Sequence, residues 1–501
     1  MAKDGQVRLP WQPKAGAGLP SAGRVGWRGL SGVPEWLRSA LFLRSSSERL
    51  GWRKVLLGVL FVVAGAAVSL ARTSGPGALN TTWIEDAGNF LQDALHQSVL
   101  TTLTTQMNGY YDVVPRTVTA IAVAFPIAWA PGIMSAAAAA EYALTGLIVY
   151  IASGPHLRSP WLRLLIAAPA CVVPLGYTQV NNDLATVQFI ALYGLFWLLL
   201  WRPVTTAGRI CAPVIMLSAT LTSILPVFFA PLVAARLVAD RSKTAIAVAV
   251  CWAAGLLTEW SVQLRGLSNR SNDLFTSPLW ILGNYVTRTV PRTIFGELAL
   301  GGPGINYRGS PIPLSIPNMA VHEALTWGAC AIVVAVVVIA LGRLTAPHWP
   351  LAVTALAFSV VLFVGEIVDN WPIVQPRYVI APALLLYTAI VAMLRPRGVA
   401  DDASLAVEPA GAPSGGEPAA TASRGLRPAV AAWTPVTVFA LLFAVVVGFN
   451  FRVVNTRSES PPWSAVVAAA RNTCMKPGMA DYEYNHLWWH VQIPCSRVSP
   501  S

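Results

Sequence analysis

Charge is scarce in this chain. Only 12% of its 501 residues are Asp, Glu, Lys or Arg, where a soluble domain carries about 25%, so an ordinary water-soluble fold is excluded. The long apolar runs lack period-two alternation, which excludes a transmembrane β-barrel and leaves a helix bundle. No nucleic-acid-binding motif accompanies the basic residues, so a DNA or RNA partner is set aside. A P-loop, a Rossmann glycine pattern and a Ser/His/Asp arrangement are also missing. His96 and His322 have no second His or Cys at metal-ligand spacing. Of the six cysteines, Cys171, Cys211, Cys251 and Cys330 fall in apolar segments and read as small core residues.

What the chain has instead is apolar length. Hydrophobic residues make up 55%, mean hydropathy is +0.56, and uncharged runs such as Val55–Ala71, Ala324–Gly342, Tyr378–Leu394 and Pro428–Phe451 suit membrane-crossing helices. The expected fold class is an all-α polytopic membrane protein. The net charge of +12 is concentrated early: residues 1–54 hold ten Lys/Arg against Asp4, Glu35 and Glu48. Positive charge before a first span marks the cytoplasmic side and attracts anionic lipid. Residues 1–54 therefore read as a disordered basic cytoplasmic leader, too long and too basic for an ordinary signal peptide.

Alternating Lys/Arg clusters then lay out spans at approximately 55–71, 163–178, 184–201, 210–226, 227–240, 244–264, 320–341, 350–367, 378–394 and 429–450. Residues 117–152 must contribute an odd number of crossings, although Pro126, Pro131 and Gly132 suggest a broken pair. That gives about eleven spans, with the N-terminus cytoplasmic and the C-terminus extracytoplasmic. Residues 55–395 form the core, 396–428 a disordered Ala/Pro/Gly/Ser linker, 429–450 the last span, and 451–501 a small outer tail of one helix and a strand or two. Cys474 and Cys495 both lie in that tail, and outside the cell membrane they suit a disulfide, whose closure would contribute roughly 3 kcal/mol. The outer stretch 265–318 is long and Gly/Pro-rich, and is expected to be either a mobile cover or a plain crossover.

The first outer loop, 72–116, is acidic within a basic protein. WIEDAGNFLQ (83–92) places Glu85 and Asp86 side by side. Read as one helix, residues 84–104 put Ile84, Leu91, Leu95 and Val99 near one face and Asp86, Asn89 and Asp93 on another, a pattern suited to the membrane surface. MNGYYDVVPR (107–116) follows, with an Asn-Gly turn and interfacial Tyr110 and Tyr111. Residue spacing alone is equally served by a solvated, decorated loop.

The order of WIED, GYYDVVPR and QPRY (375–378) resembles bacterial membrane proteins of the GT-C glycosyltransferase architecture, as does the closing Trp463, Cys474, Cys495 tail. That resemblance implies a GT-C-like bundle, a polyprenyl-phosphate-sugar donor and a glycan, lipid or protein acceptor, all meeting on the outer face of the cytoplasmic membrane. Carried onto this sequence, it implies Asp86 as the base, with Glu85 as the partner that orients it or binds a divalent metal ion. The superfamily signature is often Asp-x-Asp, so adjacent Glu-Asp makes a carboxylate base the firmer expectation. Arg116 and Arg377 are the candidate phosphate clamp, and Tyr378, Tyr110, Asn181 and Asn182 are candidate substrate contacts. Asp86, Arg116 and Arg377 are expected to converge on one outer cavity. Glu259 and Glu366 are further candidates near outer span ends. The alternative reading is a transporter or flippase of lipid-linked substrate, with the same charges lining a path.

Overall fold

The computed structural model describes residues 33–45, 51–107, 109–175, 181–265, 277–297, 316–370, 375–397, 426–453, 457–486 and 489–498. The chain is a mostly helical, multi-pass membrane protein. Among the described residues, seven helices are long and apolar enough to cross a bilayer: Trp52–Ala71, Ile127–Ala152, Lys243–Val262, Ala320–Leu341, Trp349–Ile367, Pro376–Met393 and Ala431–Asn450. Shorter apolar helices run over Val113–Ala122, Pro160–Val172, Leu184–Leu200, Thr206–Thr220 and Leu225–Ala239. Within residues 117–152 the broken pair is a short helix and one long one, separated at Pro126, which has no N–H with which to continue the first helix.

The helices sort by burial. Leu184–Leu200 and Ile380–Met393 are apolar all round and almost wholly buried, the pattern of a central helix. Trp52–Ala71 instead turns Val55, Leu57, Leu60 and Val63 outward. An apolar face of that size is stable where lipid covers it.

Hydrogen bonds define two opposite ends of the bundle. At one end, the tail face, Asn182 donates to the Ser69 carbonyl at the end of the first span, and Trp463 Nε1 donates to the Ile127 carbonyl. At the other, the leader face, Arg38 donates to the Ala239 carbonyl, while Arg202 donates to the Phe42 carbonyl and pairs with Asp240 at 3.1 Å. Buried Arg236 donates to the carbonyls of Leu198 and Leu199, the last turn of the central helix. A guanidinium at that point satisfies carbonyls that no later residue of the helix can reach.

Three sequence expectations need correction. The leader is not wholly irregular: Val33–Ala40 is a helix, and Leu41 and Phe42 behind it are buried. Its apolar side chains have a core to enter, which a composition-based reading misses. The stretch 265–318 contains a helical unit, Pro278–Phe295, with a π-turn at Tyr285–Thr289. Tyr285 bonds Ser359 at 2.8 Å and anchors that unit to the bundle. The rest of that stretch, 266–276 and 298–315, lies outside the described residues, as does the linker over 398–425. Finally, residues 84–104 are not one surface helix. A π-turn at Asp86–Leu91 leads into Gln92–His96, and a second short helix, Val99–Thr104, starts after the Ser98 cap. The extra residue in a π-turn rotates what precedes it. Asp86, Ala87, Phe90 and Leu91 all turn inward, while Val99 is exposed.

The tail after the last span forms the helix Trp463–Cys474 and an antiparallel hairpin, Asp481–His486 with Trp489–Pro494. A Cys474–Cys495 disulfide joins the end of the helix to the end of the hairpin. The second strand alternates buried Trp489, Val491 and Ile493 with more exposed neighbours, as a half-buried strand must.

Candidate functional site

The site begins with the reversal between Asn181 and Ala185. Asn182 sits in the left-handed backbone region at φ 58°, a conformation asparagine tolerates better than most residues. Its side-chain amide donates to the Ser69 carbonyl and to Thr73 Oγ1 at 2.9 and 3.0 Å, and its Oδ1 accepts from Ser69 Oγ. Asn182 thus ties the reversal to the end of the first span and has little capacity left for a substrate. Asn181 is different: its Oδ1 is buried without a hydrogen-bond partner.

Asp86 enters from the loop after the first span and caps the central helix. Its two carboxylate oxygens accept the Leu184 and Ala185 backbone N–H groups at 3.0 and 3.1 Å. A carboxylate at a helix start satisfies orphan donors and faces the positive end of the dipole. Asp86 is 2% exposed. Asp183 lies beside it, equally buried. Burial, with the Asp86 carboxyl next to it, pushes the Asp183 carboxyl well above the usual carboxylate range, and Arg457 opposes this. Burial also raises Asp86, against hydrogen bonds from Asp183, Leu184 and Ala185 and the attraction of Arg457. Two buried carboxyls in contact hold a proton between them. Asp183 is its better home, because Asp86 already accepts two N–H groups that stabilise its charged form.

Arg457, which the sequence reading passed over, holds this arrangement together from the tail. It is buried and donates to the carbonyls of Asn181 and Asn182 at 2.9 Å each, to the Ala78 and Thr81 carbonyls, to Thr81 Oγ1 and to Ser135 Oγ. Three separate segments converge on one guanidinium, whose planar fork suits several fixed acceptors. Gly75 makes room for it: at φ +67° it lies so close to the Ser458 carbonyl that a Cβ would collide.

Glu85, one residue before Asp86, points the other way. Its carboxylate faces the Arg377 guanidinium at 3.6 Å, with the two side chains 19% and 20% exposed. Arg377 also lies over the Tyr378 ring, 5.6 Å from its centroid, and Tyr378 packs on Phe189. The Arg377 Nε is buried with no hydrogen-bond partner. Glu85, Asp86, Asp183 and Arg377 are therefore electrostatic neighbours. The QPRY motif brings its arginine to the acidic pair.

Arg116 is committed elsewhere. It is wholly buried, pairs with Asp93 at 2.8 Å and sits over the Phe90 ring. That bond fastens the Val113–Ala122 helix to the Gln92–His96 helix and commits Arg116 to Asp93. Tyr110 is buried at a two-residue bridge with Met107. Glu259 is buried at the tail face, where both its oxygens lie near the Tyr111 N–H. Glu366 is buried in its span.

A divalent metal at Glu85 and Asp86 does not suit these donors. Both Asp86 oxygens are taken by backbone N–H groups, and Glu85 faces a cation. Among the described residues, no group of three or more His, Cys, Asp or Glu is placed to hold a metal. What the arrangement offers is a buried, proton-sharing acid pair, a more open carboxylate and an arginine, beside unsatisfied polar atoms of Asn181 and Arg377. Native proteins rarely leave such atoms unpaired without a bound group or water. The sequence matches no protein-family model and no curated protein.

Proposed function

We propose that the chain transfers a sugar from a polyprenyl-phosphate-linked donor to a cell-envelope acceptor at the outer face of a bacterial cytoplasmic membrane. The observation that carries this reading is the meeting of Glu85 with Arg377, at the end of a span where a lipid-borne phosphate would lie. In this reading the leader face, with Arg38, Arg202 and Arg236, is cytoplasmic and the tail face extracytoplasmic. The seven long helices and the four short ones from Pro160 to Ala239 then make eleven crossings.

The chemistry follows from the side chains. Glu85 takes the proton of the acceptor hydroxyl as its oxygen bonds to the sugar C1. The C1–O bond to phosphate breaks, and the bonding pair leaves with the phosphate. Arg377 stabilises the charge that develops there. The roles of the two adjacent carboxylates are thus exchanged relative to the sequence expectation: Glu85 acts, and Asp86 with Asp183 holds the floor on which Glu85 and Asn181 stand.

Incubating the purified protein with a panel of polyprenyl-phosphate sugars and a cell-envelope acceptor extract tests this. Donor consumption that persists in EDTA is expected, and Arg377→Gln should raise KM and lower kcat. An inert protein across the whole panel would overturn the proposal. A transport reading finds support in Glu141, half-buried midway along the Ile127–Ala152 helix. It predicts that Glu141→Gln stops movement of lipid-linked substrate across vesicles, and unchanged movement would remove it.

A further inference from the structure

The leader face carries a second feature, remote from the acidic site. A cavity of about 440 Å³ opens there, with Leu341, Arg343, Pro347, Trp349 and Arg395 among its walls. Three spans meet at it: Ala320–Leu341 ends there, Trp349–Ile367 begins there, and Pro376–Met393 stops two residues before Arg395. The cavity therefore lies at the depth of lipid headgroups, where a tryptophan such as Trp349 is at home.

Its cations are placed rather than scattered. Arg395 is pinned by donating from Nε to the Ala346 carbonyl at 2.8 Å and from Nη1 to the His156 carbonyl at 3.3 Å. Arg158 is close enough to act on both Arg395 and His348. Burial and these two arginines lower His348 to about 4, so it is neutral at physiological pH and adds no counter-charge. The charged groups acting on Arg395 and His348 are arginines, with no carboxylate among them.

Backbone geometry adds an independent sign. Among the described residues, four non-glycines have positive φ, and Arg158 (54°) and Arg343 (55°) are two of them. Arg158 follows the Gly154–Leu157 turn of helix, and Arg343 follows Gly342 at the end of a span. These are positions where glycine is the residue local folding favours. General attraction of positive charge to the inner leaflet asks only for basic residues on this face. It does not ask for arginine where glycine would fit better, once in the cavity wall at Arg343 and once beside Arg395 at Arg158.

We propose that this cavity binds a phosphate-bearing anion, with Arg343 and Arg395 as its cationic wall, Arg158 adding positive charge beside Arg395, and Trp349 with Leu341 as its apolar wall. The apolar wall favours the headgroup of an anionic phospholipid over free phosphate. Guanidinium groups suit phosphate oxygens through paired N–H donors, and an arginine held in advance loses less freedom on binding.

The test uses the full chain in detergent, titrated separately with phosphatidylglycerol, phosphatidylcholine and inorganic phosphate. Retained lipid is counted by native mass spectrometry, and melting temperature is followed in parallel. Phosphatidylglycerol should bind at least about tenfold more tightly than phosphatidylcholine, a difference of about 1.4 kcal/mol. Arg158→Gly/Arg343→Gly should erase that preference without lowering the lipid-free melting temperature, since glycine relieves the backbone at both positions. Arg241→Gln, an exposed arginine of the same face, should leave the preference intact. A melting shift reproduced by inorganic phosphate alone would support the anion site and assign it to free phosphate. Equal binding of the two lipids without any phosphate effect, or a preference that survives in the double glycine variant, would overturn the proposal.

Discussion

At the scale of residues, Asp183 and Arg457 make the strongest claims. Asp183 has its carboxyl raised by burial and by Asp86, so the folded protein keeps a proton that the unfolded chain gives up near the ordinary carboxylate value of 3.8. Between those two pKa values the folded state binds more protons, so stability falls as pH rises through that window. Asp183→Asn should flatten that slope and melt higher than the parent at neutral pH, the difference vanishing toward pH 4. An unchanged slope in a pH series of melting curves would remove the shared proton from the account. Arg457→Met should act oppositely, stranding a buried acid pair beside unbonded carbonyls. A loss of about 3–5 kcal/mol is expected for removing one member of a buried charge cluster, and a detergent melting temperature close to the parent's would contradict it.

The sequence made Glu85, Asp86 and Arg377 legible, since adjacent carboxylates and a span-opening arginine stand out in a chain this poor in charge. Arg457 was harder to find. Its signal was a basic residue in the tail after the last span, surrounded by ordinary polar residues. Arg116 misled for the converse reason: its sequence setting reads like a span opening, as Arg377's does, and only packing reveals that it sits in the short Val113–Ala122 helix held by Asp93.

At the scale of elements, the loop after the first span and the tail form one unit. Gln492 N–H donates to Gln92 Oε1 at 2.6 Å, Ser464 N–H to Asn80 Oδ1, and Ser74 Oγ to the Val453 carbonyl. Gly88, inside the π-turn, lies against the hairpin: a Cβ there would come 3.2 Å from Trp489 Cβ and 3.4 Å from the His490 carbonyl. Gly88→Leu should push the hairpin off the loop, read as faster proteolysis between Met475 and Arg497 with the spans intact. A hairpin as protected as the parent's would show that the loop and tail are not coupled. The amphipathic pattern of residues 84–104 told of a helix but not of the π-turn within it. Periodicity is blind to one inserted residue, and that residue decides whether Asp86 faces water or the core.

At the scale of the whole molecule, hydropathy was informative because the bilayer forces backbone groups into helices. The long spans follow from that rule directly. Helices such as Thr206–Thr220 are shorter than the bilayer core, about 22 Å at 1.5 Å per residue against about 30 Å. Their lengths depend on neighbours that shield their ends. Pro278–Phe295 was hidden for a related reason: polar and proline residues made a packed helix look like loop.

The central claim is that Glu85, held open beside Arg377 on a floor made by Asp86 and Asp183, deprotonates the acceptor. Single-turnover transfer from a polyprenyl-phosphate sugar, comparing the parent chain with Glu85→Gln, tests it most directly. The account predicts a fall of at least about a hundredfold in the rate of the chemical step, with donor binding and melting temperature unchanged. Transfer at the parent rate by Glu85→Gln would contradict it.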